Sequence, residues 1–247
     1  MQTPSAHDIV RIWELGQDKP GWYQALLLLA AAFPDRAQAE LAALPLGVRN
    51  HCLFALRARL MGQRMDACVN CPRCGEALEF SLSVDDLCPD PLPALGAAAG
   101  ATRRLTVDGI DISLRLATSR DLEAMHRFSR LDHPQRELAC LCIESASCEQ
   151  TALAPYELDE TVLDVVAEHL AEFDPLAERR LSLDCNACGH TWSALFDIMS
   201  FLWVELSTRA QRLLGEVHLL ASNYGWRETD ILHMTAVRRQ RYLDLLA

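Results

Sequence analysis

The sequence predicts an α+β fold that is mainly α-helical, and three observations lead to that prediction. Long apolar stretches with the spacing of helix faces occur near both ends of the 247-residue chain. Two short CxxCG motifs, at 71–75 and 185–189, lie beside stretches in which apolar and polar residues alternate, as in half-buried strands. Asp108-Gly109 separates two β-rich runs, a strong signal for a hairpin. We therefore expect helices at both ends and small β elements between them.

The N-terminal part of the chain, residues 1–66, is predicted to be a helical region. Residues 21–33, GWYQALLLLAAAF, are almost continuously apolar and predict a buried helix that ends at Pro34. In residues 46–62, LGVRNHCLFALRARLMG, apolar side chains recur at the spacing of one helix face. Two helices are therefore expected before the first cysteine motif.

The middle of the chain is predicted to hold an insertion. Residues 67–87 contain the first cysteine motif followed by a strand with alternating polarity, and residues 88–104 are rich in Pro, Gly and Ala, which is typical of a linker. Residues 105–180 are expected to form a β-hairpin followed by helices. One helix is predicted to start at Thr118, and Asp174-Pro175 is interpreted as a helix N-cap with Pro at the first helical position.

The C-terminal part repeats the earlier layout and then becomes helical. Residues 181–197 are predicted to be a strand, a CxxCG turn and a second strand. Residues 198–247 predict a C-terminal helical region. It should consist of a long, largely apolar helix over 198–221, a glycine-containing turn, a short helix and a final helix.

Four cysteines have the number and setting of one metal site. A zinc ribbon needs four thiolates in tetrahedral geometry, with Zn–S distances of about 2.3 Å. Each CxxCG turn supplies two of them, because the glycine lets the backbone fold beneath the metal. The sequence therefore predicts a split four-cysteine zinc ribbon, with the insertion between its halves, whose ligands are Cys71, Cys74, Cys185 and Cys188. Such a closed ligand shell leaves no position for water or substrate, so the Zn²⁺ would be structural.

Other interpretations of the cysteines are redox pairs or chance. A thioredoxin-type motif would sit inside a βαβ pattern, which neither segment shows. Cys68, Cys88 and His190 are possible substitute ligands, but we expect them outside the metal's ligand shell. The remaining cysteines are interpreted as small buried or half-buried side chains: Cys52, Cys140, Cys142 and Cys148.

Composition limits the functional classes. The formal net charge of −11 and a pI near 5.1 work against non-specific binding to nucleic acid. The first residues lack the apolar run of a signal peptide. The longest apolar stretch, residues 25–33, is too short to cross a bilayer, which needs about 20 residues. We therefore predict a cytoplasmic protein without membrane contact, in which ten cysteines favour metal binding or buried thiols over disulfides.

Catalytic motifs are missing from the sequence. It contains no Gly-rich phosphate loop, no GxSxG and no HExxH. His218 could act as a general base on its apolar helix, but we favour a histidine satisfied by Glu205 or Glu216. The prediction is that the protein is not an enzyme.

The C-terminal region combines aromatic and basic residues. Trp203, Tyr224, Trp226 and Tyr242 occur there together with an RRxR cluster that includes Arg238 and Arg239. These residue types carry many interface hot spots, so we predict a partner-binding surface. The alternative is a local helical core with a basic rim.

The same region resembles a known family. Residues 185–246 resemble the baseplate-hub assembly proteins of T-even-type contractile phage tails, and more closely their relatives from phage-like contractile injection systems. The stretch CPRCGEALEFSL also resembles the first cysteine turn of those relatives. The residues that carry the C-terminal resemblance are Phe196, Asp197, Trp203, Glu205, Glu216, Val217, His218, Tyr224, Gly225, Trp226, Glu228, Ile231, Leu232, Arg238, Arg239, Tyr242 and Leu243.

The resemblance implies a non-enzymatic assembly factor (chaperone) or minor component of the baseplate hub, which contacts hub or spike proteins. It implies partner contacts through Glu205 and His218 in addition to the aromatic and basic residues. Two alternatives remain open. One is a zinc-ribbon protein with a nucleic-acid-binding or regulatory role, and the other is an enzyme with its cleft between the insertion and the C-terminal helices. The phage relatives often lack the cysteines, so the metal prediction rests on spacing alone.

Overall fold

A computed structural model of the chain describes residues 1–88, 95, 102–127, 133–149 and 151–246. It is mixed α/β with more helix than strand and small antiparallel sheets, which confirms the fold class at that level. A 3-10 helix spans Pro155–Glu157. The helices are α1 Ala6–Gly16, α2 Gly21–Ala32, α3 Gln38–Ala42, α4 Leu46–Met61, α5 Val84–Leu87, α6 Ser119–His126, α7 Pro134–Cys142, α8 Glu160–Phe173, α9 Ile198–Tyr224, α10 Glu228–His233 and α11 Ala236–Asp244. The strands are β1 Arg64–Asn70, β2 Ala77–Ser83, β3 Arg103–Val107, β4 Ile110–Leu114, β5 Ile143–Cys148, β6 Thr151–Leu153, β7 Arg179–Asp184 and β8 Thr191–Phe196.

The chain divides into two compact units. One unit combines residues 1–36 with residues 198–247, and the other contains residues 37–197. The N-terminal helical region is therefore shared between the units, with α1 and α2 in the first and α3 and α4 in the second; the two helices predicted individually are α2 and α4. The domain boundaries inferred from the sequence remain predictions. The predicted linker, residues 88–104, falls mostly outside the described residues.

The first unit is helical and is organised along α9. This helix has 27 residues, which corresponds to about 40 Å. It contacts α1, α2, α10 and α11. Its buried side chains recur every three or four residues, so that they form one apolar stripe: Met199, Leu202, Leu206, Ala210, Leu213, Val217 and Leu220. The predicted long helix and the two helices after it are thus confirmed.

The second unit contains a four-stranded antiparallel sheet in the order β3-β4-β5-β6. Asp108 and Gly109 have φ of +51° and +80°, the left-handed values of the tight turn predicted between β3 and β4. Side chains of α7 and α8 pack on the sheet in a core that includes Leu114, Ile143 and Val166. The sequence predicts helices after this hairpin, but the chain also forms the strands β5 and β6 there. Their short, Ser- and Ala-rich sequences have weak strand propensity, and pairing with β4 decides their conformation.

The prediction that a helix begins at Asp174-Pro175 is wrong. Asp174 is instead the residue that ends α8, and the chain continues through a turn to β7. Its carboxylate accepts a hydrogen bond of 2.8 Å from the backbone N–H of Gly47, at the start of α4. An Asp-Pro pair predicts an N-cap only from local preference. Here a partner 127 residues away holds the side chain.

Two separate hairpins complete the second unit. Strands β1 and β2 pair antiparallel, and so do β7 and β8, and each hairpin carries a CxxC sequence in its turn. This confirms the repeated layout of strand, CxxCG and strand. The Phe196 ring at the end of β8 stacks on the buried Phe54 ring of α4, with centroids 6.1 Å apart. In the described part of the chain, every helix is too short or too polar to cross a bilayer.

Candidate metal centre

The turns of the two hairpins bring the four predicted cysteines together. All four Sγ atoms lie within 4.8 Å of one another. The Sγ atoms of Cys71 and Cys188 are 3.8 Å apart, and those of Cys74 and Cys185 are 3.6 Å apart. A tetrahedral ion with metal–sulfur distances of about 2.3 Å separates its sulfurs by about 3.8 Å. The cluster therefore has the size needed to hold one such metal ion at its centre.

The backbone of the two cysteine turns is the same. In the first, the N–H of Cys71 donates to the carbonyl of Glu76 at 2.8 Å, and the N–H of Gly75 donates to the carbonyl of Cys71 at 2.9 Å. In the second turn the corresponding residues make the same two bonds, at 2.9 and 2.8 Å. Gly75 and Gly189 have φ of +78° and +67°, which residues with a Cβ rarely adopt. Each turn is thus built to present two thiols on one side.

The thiols of Cys71 and Cys188 differ in how readily they ionise. Burial raises the pKa of Cys71, but backbone N–H groups of Cys74 and Arg73 and the neighbouring thiols lower it, to about 7. The backbone N–H of His190 lowers the pKa of Cys188, but burial and the other three thiols raise it to about 12. The protein alone therefore favours one thiolate in the cluster and opposes the next. A bound divalent cation would supply the charge that lets all four ionise.

The first cysteine of each turn is the more buried one. Cys71 and Cys185 are each 2% exposed, whereas Cys74 is exposed and Cys188 is half-buried. Within the described residues, the potential metal-binding group consists of these four cysteines alone. The possible substitutes Cys68, Cys88 and His190 are not part of it.

Two cysteines outside the cluster, Cys52 and Cys142, have thiols of low reactivity. Cys52 in α4 and Cys142 in α7 are fully buried, and burial raises the pKa of each thiol to about 12. A thiol that stays protonated is a poor nucleophile and a poor metal ligand. Both therefore fit the role of small core side chains that the sequence predicts for them.

Comparison with known proteins places the chain in a family. A family model described as T4 bacteriophage base plate protein matches residues 18–203. The chain belongs to this family. The matched part of this base plate protein includes both cysteine turns and the insertion between them, whereas the resemblance in the sequence was strongest over 185–246. Comparisons with the curated proteins and with the solved structures find no match.

The first unit brings four of the predicted partner-binding residues together. We call Tyr224, Trp226, Arg238 and Tyr242 the aromatic cluster. The Tyr224 and Trp226 rings stack with centroids 4.6 Å apart, and Tyr242 meets Trp226 edge-on at 4.7 Å. The Arg238 guanidinium lies 5.8 Å from the centre of the Tyr242 ring. All three rings are half-buried, so each keeps part of its surface exposed.

Two other predicted residues lie far from the aromatic cluster. Trp203 and Glu205 precede Tyr224 by about 20 positions on the same helix, which corresponds to about 30 Å. Trp203 also packs inside its unit: a Cβ added at Gly16 would meet its ring at 2.2 Å. The single partner surface suggested by the sequence therefore divides into separate places along α9.

Two further residues of the predicted partner surface, Arg239 and His218, have an exposure that the sequence did not indicate. Arg239 is buried and His218 is exposed. Arg239 is 4% exposed and donates to the carboxylate of Glu216 at 2.8 Å and to the carbonyl of Met234 at 2.7 Å. It thereby connects α11 to α9. Glu216, one of the two expected partners of His218, instead accepts a hydrogen bond from Arg239 and forms an ion pair with Arg212.

Sequence reasoning overlooked two exposed apolar residues beside the aromatic cluster. Val237 and Leu245 of the C-terminal segment are 73% and 75% exposed. Val237 lies in α11 and Leu245 is the residue that ends it, so both belong to the same short segment as Arg238 and Tyr242. For Val237 the signal was present in the sequence, because this residue directly precedes the RRxR cluster that the sequence assigned to the partner surface.

Proposed function

We propose that this base plate family member is a non-enzymatic assembly factor, or a minor component, of the baseplate hub of a contractile phage tail or injection system. The observation that carries the proposal is the family match over residues 18–203. The four-cysteine cluster supports a structural role, because a shell of four thiolates has no open position for substrate. The net charge of −11 agrees with a protein partner better than with a nucleic acid.

The metal in this proposal is one Zn²⁺ bound by Cys71, Cys74, Cys185 and Cys188. Tetrahedral coordination by thiolates is the arrangement that zinc adopts in structural sites. The two hairpins with their matching turns support the assignment of a split zinc ribbon, with one half in each hairpin. The metal would join two chain segments that are separated by the whole insertion, so that it acts as a cross-link within the second unit.

The partner surface in this proposal is the aromatic cluster together with Val237 and Leu245. Exposed apolar side chains beside half-buried aromatic rings are typical of protein interfaces, and the arginine adds a polar anchor. Arg239 is left out because it is buried. The partners would be hub or spike proteins of the same tail.

Co-purification tests the partner surface. We expect the double variant Val237→Asp and Leu245→Asp to lose at least about tenfold in capture of co-expressed hub and spike proteins, because both charges would enter an apolar contact. The substituted side chains are exposed, so the fold should persist, as circular dichroism and the melting temperature would show.

The matched control is Val204→Asp on α9. Val204 is 65% exposed and lies about 30 Å along the helix from Tyr224, so capture should stay at the wild-type level. Equal capture by wild type and double variant would contradict the proposed surface. A wild-type protein that captures neither hub nor spike proteins would contradict the assembly role itself.

A further inference from the structure

A cleft of about 590 Å³ lies between strands of the two cysteine-bearing hairpins. Its walls come from β2 with the residue before it, and from β7 with the turn after it. The lining residues are Glu76, Ala77, Leu78, Glu79 and Phe80 on one side and Ser182, Leu183, Asp184, Asn186 and Ala187 on the other. Neither β1 nor β8 contributes to the lining, so the cleft borders one strand of each hairpin.

Both walls are free strand edges. Among the described residues, β2 pairs only with β1, and β7 pairs only with β8. The outer edge of each strand therefore presents backbone N–H and C=O groups without a partner strand, a template for an added strand. Five consecutive residues, 76–80, line the β2 wall, a length of about 16 Å in extended conformation. That length accommodates four or five residues of an extended peptide.

The side chains of the cleft specify the peptide that it would accept. Glu76, Glu79 and Asp184 carry three negative charges, and the lining contains no basic residue. Along β2, exposed Ala77 and Glu79 alternate with half-buried Leu78 and Phe80, so the wall has a small and an acidic side chain on one face and two apolar side chains on the other. A strand paired with this wall presents alternate side chains to the two faces. Charge and polarity are therefore complementary to a segment in which basic and apolar residues alternate.

We infer that the edge of β2 in this cleft is a docking site for an extended, basic peptide segment of a partner protein, added as a strand between β2 and β7. The backbone supplies the hydrogen bonds, the carboxylates select lysine or arginine, and Leu78, Phe80 and Leu183 receive the apolar side chains. This cleft belongs to the second unit, and the aromatic cluster belongs to the first. That the partner is another tail protein rests on the proposed function, but the peptide binding does not.

The probe is a fluorescently labelled nine-residue peptide that alternates Lys and Val, blocked at both ends. Fluorescence anisotropy with the full chain should show saturable binding, and hydrogen exchange should slow at those amides of residues 77–80 that point away from β1. A peptide with Glu in place of Lys should bind at least about tenfold more weakly. The Lys-Val peptide with N-methyl groups on alternate residues should lose binding as well, because it cannot donate along one edge.

Charge reversal locates the site. Glu79→Arg should weaken binding of the Lys-Val peptide at least about fivefold, whereas Glu172→Arg, an exposed acid of α8 outside the cleft, should leave it within about twofold. Equal binding of the N-methylated peptide, or equal loss in both variants, would overturn the inference in favour of diffuse charge attraction. Protection of residues 77–80 that rises with protein concentration in the absence of peptide would overturn it in favour of a second copy.

Discussion

Replacing one cysteine of the cluster, Cys185→Ser, should release the Zn²⁺ that we propose for this site and destabilise the second unit. Cys185 is 2% exposed, and its sulfur lies 3.6 Å from that of Cys74, so a serine would leave three thiols around a gap in the ligand shell. Zinc binding supplies about 10–16 kcal/mol of folding free energy in small zinc modules. Because the variant should release the whole ion, it should lose at least about 3–5 kcal/mol of the free energy of unfolding, about 10 °C or more in Tm for a chain of this size.

The measurement combines elemental analysis of the purified protein with thermal unfolding followed by circular dichroism. The wild type should contain one zinc per chain, and a strong chelator should lower its Tm by a similar amount. The matched control is Cys68→Ser, an exposed thiol on β1 of the same hairpin that is outside the cluster. It should keep both the zinc and the Tm. A Cys185→Ser protein that still holds one equivalent of zinc would show that the ligands are assigned wrongly.

The cysteine turns could be predicted from the sequence because their geometry is local. Gly75 and Gly189 each stand directly after a CxxC. The turn needs a left-handed backbone conformation at that position, and glycine adopts it without steric cost. The pairing of the two distant turns followed from counting ligands, since a tetrahedral thiolate site needs four. The hairpin at Asp108-Gly109 and the long helix α9 could be predicted for the same reason, because each depends on a short stretch of neighbouring residues.

Features that depend on distant partners could not be predicted in this way. Strands β5 and β6 have little strand propensity of their own and depend on pairing with β4. Arg239 carries the same sequence signal as Arg238, yet one is buried against Glu216 and the other stacks on an aromatic ring. Only the packing of α11 on α9 separates the two. Local preference is weak evidence wherever a long-range contact can override it.

A second large effect is expected from Gly47→Ala in the first turn of α4. A Cβ at this position would lie 1.7 Å from Oδ1 and 2.7 Å from Cγ of Asp174. The carboxylate would have to move, which would break its 2.8 Å bond to the backbone N–H of Gly47. Burial already raises the pKa of Asp174, so a displaced carboxylate would lose a hydrogen bond that favours its charged form. We expect a loss of about 2–4 kcal/mol in the free energy of unfolding.

Chemical denaturation of matched variants separates the clash from the general effect of adding a methyl group to a helix. Gly215→Ala in α9 makes the same chemical change where no atom lies within 4 Å, and it should be neutral or stabilise by up to about 1 kcal/mol. Asp174→Ala should cost stability by itself, but in the double variant with Gly47→Ala the clash is gone. The double variant should therefore lose less than the sum of the two single losses, by about 1 kcal/mol or more. Strictly additive losses would mean that Gly47 and Asp174 do not meet, and that the end of α8 is held against α4 by other contacts.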